Sequence, residues 1–201
     1  MKRKTKKTKR NFLAKNYSES WNYLKESRKF IYAVVILFLV SFLVGFFVPA
    51  PEKITELIRS FVEKLLKETE GMSQFELMRF IFLNNLKSSF SGIVFGAFLG
   101  IFPIVSTMLN GYLVGFVSMV SAKSGGIFVL WKLLPHGIFE LPAVFISLGM
   151  GLKFGTFAFQ KDKSGSFISY FFNSLKVFLL IVMPLLIIAA AIEGSLIYFL
   201  G

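Results

Sequence analysis

The chain has 201 residues, of which 55% are hydrophobic and only 17% charged, with a net charge of +12, 26 Phe and no Cys. Soluble chains average roughly 25% charged residues, so this composition belongs in lipid. It also excludes disulfides and thiolate or cysteine-metal chemistry. With one His and no His-Glu-x-x-His pattern, there are too few ligands for a zinc protease. No Gly-rich phosphate loop follows a strand pattern, so neither an enzyme nor a cofactor or metal site is expected.

The basic charge is concentrated at the start. Residues 1–29 hold eleven Lys/Arg against Glu19 and Glu26, leaving twelve basic and nine acidic residues in the rest. A basic segment directly before an apolar run sets membrane orientation and meets anionic lipid heads; it needs no nucleic-acid partner. Residues 1–29 are thus read as a cytoplasmic tail and 30–201 as one helical membrane domain.

Residues 30–48 are uncharged over a length close to the roughly 20 residues a span requires, and they form the first span. Residues 52–68 change character: Ile54, Leu57, Ile58, Phe61 and Leu65 recur at helical spacing among Glu and Lys, the pattern of an amphipathic helix. Pro51 suits its first turn. Gly71 ends it, and Ser73 with Glu76 forms a capping-box pattern that starts a new helix near Gln74.

Residues 91–121 exceed one span. The turn-forming pair Asn110-Gly111 divides them into spans of about 90–108 and 111–122. A fourth span, 126–158, is interrupted by Lys132, Pro135, His136, Gly137, Glu140 and Pro142 and is read as a broken helix. The fifth runs over 174–199. Lys153, Lys161, Lys163 and Lys176 mark a cytoplasmic side. The N-terminus is then inside, residues 49–89 outside, 160–175 inside and the C-terminus outside. The expected fold is an all-α polytopic bundle of about five spans plus an extramembrane amphipathic helix.

Small residues recur every four positions in three stripes. They are Ser88, Gly92, Gly96, Gly100; Gly111, Gly115; and Ala143, Ser147, Gly151, Gly155. Between helices in lipid, close backbone approach supplies the attraction. Spans two to four are therefore expected to form the core, with the first and fifth facing lipid.

His136 and Glu140 lie one helical turn apart. Pro135 and Pro142 each remove a backbone donor and free the carbonyl four residues earlier. An ionisable group at membrane depth is costly unless paired or wetted, so it marks either a functional site or a polar clamp on a broken helix. Asn84, Asn85 and Asn110 are further polar candidates, with bonding between helices as their plainer role.

Taken together, Asn84-Asn85 with Gly92, Gly96 and Gly100, Asn110-Gly111 with Gly115, and the run LLPHGIFELPAVFISLGMGLKFG at 133–155 resemble the stage II sporulation protein M family. The likeness covers about 75 residues, with Lys87 where the pattern as a rule has Arg. It implies an integral membrane protein. A sporulation role is not implied, since the family extends to organisms that form no spores, whereas its named member works with cell-wall-remodelling partners. The positions it singles out are Asn84, Asn85, Asn110, Pro135, His136, Gly137, Glu140 and Pro142. The leading expectation is a non-enzymatic scaffold or anchor in the cell membrane. It would be a homodimer, with residues 52–68 as its surface for a second copy or for other membrane or cell-envelope proteins. The alternative is a small transporter or channel for an ion or solute using the His136–Glu140 segment.

Overall fold

The computed structural model describes residues 2–126, 128 and 134–200, with side chains described for 14–126, 128, 138 and 140–199. Every regular element among them is helical. In chain order these are α1 (Lys2–Glu26), α2 (Arg28–Phe47), α3 (Glu52–Thr69), α4 (Gln74–Val94), α5 (Ile101–Gly125), α6 (Leu134–Gly155), α7 (Lys163–Val177) and α8 (Met183–Leu200).

Local chemistry sets the breaks. α1 and α2 are separated by Ser27 alone, whose hydroxyl donates to Tyr23 O at 2.6 Å. α2 stops where Val48 turns extended ahead of Pro49 and Pro51, as residues before proline do. α4 starts with the expected capping box: Ser73 accepts from the Glu76 N–H, and the Glu76 carboxylate accepts the Ser73 N–H at 2.8 Å. A π-helical turn, Phe178–Val182, joins α7 to α8, just before Pro184 removes a backbone donor.

The division of residues 91–121 differs from expectation. Asn110 and Gly111 lie in mid-helix in α5, and the chain turns instead at Leu99 (φ 53°) and Gly100 (φ 72°). A turn at membrane depth would strand backbone groups that lipid cannot satisfy. Within the helix, Asn110 donates back to Ser106 O at 2.7 Å, and Gly111 lies against Phe38 and Ser41 of α2. The two spans expected at 90–108 and 111–122 are therefore replaced by α4 and α5.

Pairings between helices give the arrangement. Gly111 meets Phe38 while Gly115 meets Phe42, so α2 and α5 run parallel. Gly92 meets Leu148 and Gly100 meets Leu152, so α4 and α6 run parallel. Gln74 bonds Ser195 at 3.0 Å while Phe90 stacks near Phe178, so α4 and α8 are antiparallel. Phe38 on Phe145 and Ile31 on Gly149 make α2 and α6 antiparallel. The bundle thus alternates in direction in the order α2, α4, α5, α6, α8. Among the described residues four stretches are long and apolar enough to cross a membrane: Arg28–Phe47, Ile101–Gly125, Glu140–Phe159 and Lys163–Phe199. α4, with Arg79, Asn84, Asn85 and Lys87, lies alongside them.

Two of the three small-residue stripes face each other. Gly96 abuts Gly151, and Gly155 abuts the Leu99–Gly100 turn. The third, Gly111 with Gly115, meets α2, where Gly45 presses on Tyr112 and Phe116. The first span therefore does carry a small-residue stripe, Ser41 and Gly45, contrary to expectation. Its other face, with Tyr32, Ile36, Leu39, Leu43 and Phe47, is exposed, as are apolar faces of α5 and α8. Apolar belts of that extent have no place in water.

Residues 1–29 are not wholly a tail. Tyr23 belongs to the buried core with Ile93, Ala143, Met150, Val177, Phe178, Val182 and Leu186. Pro142 lies inside α6, which runs on through it. Residues 129–133, in the first part of the expected broken span, lie outside the described residues.

Candidate functional site: a roofed acidic cavity

One end of the bundle gathers the C-terminal ends of α2, α5 and α8, the N-terminal ends of α4 and α6, and α3. There a cavity of about 320 Å³ lies between α3, α4, α6 and α8. α4 supplies Asn84 and Asn85, α6 supplies Glu140, and α8 supplies Glu193. Val62, Leu65, Leu66 and Thr69 of α3 form its roof, and Leu77, Phe80, Ile81 and Ile197 complete the apolar walls. Glu140 retains 8% exposure and Asn85 9%. No hydrogen bond involves the Asn85 amide among the described residues, and no Lys or Arg lines the cavity among them.

The roof is lightly seated. Of α3, only Ile58 is buried, and the Thr69 hydroxyl donates back to Leu65 O at 2.9 Å. Below the cavity the α4–α6 seam closes: the backbones of Gly92, Gly96 and Gly151 touch. Along that seam the described residues leave no opening below the cavity.

Of the polar positions singled out in the sequence, Asn84, Asn85 and Glu140 come together here. Asn110 sits on an exposed part of α5, away from the cavity, and Pro142 is exposed on α6. Pro135, His136 and Gly137 belong to the first turn of α6, and their side chains lie outside the described residues. Glu193 went unnoticed because it follows the apolar run of the last span by a single residue. Its signal was that of Glu140, an ionisable group within a membrane-length helix.

A second polar cluster lies at the opposite end and was also missed. Lys153 had been read only as a marker of orientation. It is buried, with Nζ 3.7 Å from the centre of the Tyr23 ring and 5.6 Å from that of Tyr170. It donates to Ser27 Oγ at 3.0 Å and lies 3.7 Å from a Glu26 carboxylate oxygen. Burial pushes the Tyr23 hydroxyl well above its ordinary pKa, which keeps it protonated beneath the ammonium. Lys176 bonds Glu19 at 2.8 Å and holds that carboxyl below its usual range. These contacts fasten α1 to α6 and α7. Among the described residues no group of three His, Asp or Glu is placed to hold a metal ion.

The signature of the family described as stage II sporulation protein M matches residues 34–196. A relative, the uncharacterized protein MJ0706 of Methanocaldococcus jannaschii, is 29% identical over 173 residues, covering 83% of this chain and 77% of its own length. No solved structure matches. The matched region takes in α4, the α4–α6 seam and the described lining residues of the cavity apart from Ile197.

Proposed function

Because the chain belongs to the stage II sporulation protein M family, we propose that this membrane protein is a non-enzymatic anchor. It would hold itself as a homodimer, and its partner proteins at the membrane, through α3. The observation that carries this reading is the outward apolar ridge of that helix. Leu57 is 68% and Phe61 47% exposed, beside Ile54. The helix has four Glu and four Lys/Arg between Glu52 and Thr69, so it gains little from an anionic lipid surface. Its alternating charges instead suit pairing with a like helix.

Orientation follows from charge. The end that carries α1, Lys161, Lys163 and Lys176 is cytoplasmic. α2, α4, α5, α6 and α8 each cross the membrane, and α3 lies on the far side together with the C-terminus. Leu57→Glu with Phe61→Glu abolishes self-association in detergent and in membranes while Glu140→Gln leaves it intact. Unchanged association of the double variant would remove the anchor reading.

A second reading, transport at the Glu140 segment, is favoured by the cavity and opposed by the closed Gly92–Gly151 seam below it. It requires solute flux in proteoliposomes that Glu140→Gln removes. Flux that survives this substitution rules that route out.

A further inference from the structure

We propose that the outward face of α1 is a docking surface for the anionic headgroups of a phospholipid leaflet. This goes beyond anchoring through α3, which lies at the opposite end of the bundle.

The bundle fixes the depth of α1. Glu19 bonds Lys176 at 2.8 Å, and Tyr23 packs in one cluster with Ile93, Met150 and Val177. Lys176 and Val177 lie in the last turn of α7, where the uncharged run 177–192 begins. α1 is therefore seated at the polar edge of the last span, the level of lipid headgroups, and does not trail away into water.

The bundle also sorts the charge of α1. Residues 1–29 hold eleven Lys/Arg against two carboxylates. A lysine of α6 or α7 stands beside each carboxylate: Lys176 at Glu19, and Lys153 3.7 Å from Glu26. Lys15 reaches Glu19 only at 4.0 Å. Lys25, Arg28 and Lys29 are exposed and pair with no carboxylate among the described residues. Next to them Tyr17 is 53% and Trp21 45% exposed, and Lys25 Nζ lies 5.9 Å from the centre of the Trp21 ring. Trp and Tyr are favoured at headgroup level, and basic side chains there are drawn to an anionic leaflet. Nucleic acid matches the charge alone. A lipid surface matches the charge, the exposed rings and the depth.

The test uses Trp21 as reporter. The chain has two Trp, at 21 and 131, so Trp131→Phe in the full chain leaves only Trp21. The chain is placed in discs of equal parts phosphatidylcholine and phosphatidylglycerol, with bromine near the top of the acyl chains of one lipid at a time. Both leaflets then have one composition, so the result does not depend on orientation. Brominated phosphatidylglycerol quenches Trp21 more strongly, with a preference of about fivefold. The preference falls toward unity at 1 M salt, where the screening length shrinks from about 10 Å to about 3 Å. Lys25→Gln with Arg28→Gln and Lys29→Gln reduces it to below about twofold. Leu57→Glu on α3 leaves it unchanged, so this reading and the anchor reading fail independently. The unsubstituted chain gives a second readout: its melting temperature in neutral detergent rises more with added phosphatidylglycerol than with phosphatidylcholine. Equal quenching by the two lipids, no quenching by either, or a preference undiminished by salt or by the triple variant overturns the lipid surface. So does equal stabilisation by both lipids, or displacement of phosphatidylglycerol from Trp21 by a nucleic-acid duplex.

Discussion

Gly96, in the 3-10 turn Phe95–Ala97 that follows α4, and Gly151 of α6 meet backbone to backbone: a β-carbon on Gly96 would fall on the Gly151 peptide. Nothing flexible stands between them, so the helices can only move apart. Gly96→Ala or Gly151→Ala is expected to cost about 1–3 kcal/mol through overpacking. The readout is the melting temperature of the detergent-solubilised chain. An unchanged value in both variants would mean that the seam is looser than described.

Gly45 extends the same argument to a helix that was expected to face lipid. It rests on Tyr112 and Phe116 of α5, so Gly45→Ala should destabilise about as much as Gly96→Ala, again about 1–3 kcal/mol. Val40→Ala, on an exposed part of α2, should not. Equal effects of the two α2 substitutions would contradict the parallel α2–α5 pairing.

Helix order can be read by labelling. Single cysteines at Ser60 and Ser124 should react from one side of the membrane, and cysteines at Leu99 and Lys163 from the other. A cysteine at Asn110, in the middle of α5, should react from neither. Ready labelling at position 110 would restore the turn that the structure moves to Leu99 and Gly100.

Lys153 offers a measurable coupling. Its ammonium lies 3.7 Å from the centre of the Tyr23 ring, a contact worth up to about 2 kcal/mol when desolvated. A double-mutant cycle with Lys153→Met and Tyr23→Leu should return a coupling of that order. Glu26→Gln should change little, because Glu26 is largely exposed and such pairs contribute weakly. A zero coupling would make α1 a tail after all.

The Glu19–Lys176 pair sets a pH dependence. Lys176 lowers the Glu19 pKa below its ordinary 4.5. A depressed carboxyl pKa gives stability that is present above the unfolded value and lost as pH falls through the folded one. The stability gap between the parent chain and Glu19→Gln should thus hold near neutral pH and close on acidification below about 4.5. A gap that persists in acid would place the effect elsewhere.

How much was legible in the sequence follows from which forces act locally. Ser73 and Glu76 make a cap by contacts three residues apart, so their pattern could be read directly. The Gly96 and Gly151 stripes could be read too, because spacing by four is a property of one helix. Their partners could not: the same pattern in Gly111 and Gly115 faces α2, and only tertiary packing decides that. Asn110-Gly111 misled because turn propensity is a preference in water, whereas a helix at membrane depth must keep its backbone bonds. Asn85 and Glu140 were recognised as polar groups in apolar surroundings. That they share a cavity with Glu193, 53 residues beyond Glu140, depends on α8 returning alongside α4. Lys153 was hidden for the opposite reason: a lysine near a span end ordinarily reaches water, and here α1 folds over it.

The most direct measurement for the anchor reading is disulfide trapping in native membranes of the full chain carrying Phe61→Cys as its only cysteine. The parent sequence has none, so any disulfide-linked homodimer arises from α3. The account predicts a prominent dimer with Phe61→Cys, reduced when Leu57→Glu is added, and none with a cysteine at Lys64 on the charged side of the helix. Equal trapping at both positions, or none at Phe61 while the chain remains folded, would contradict it.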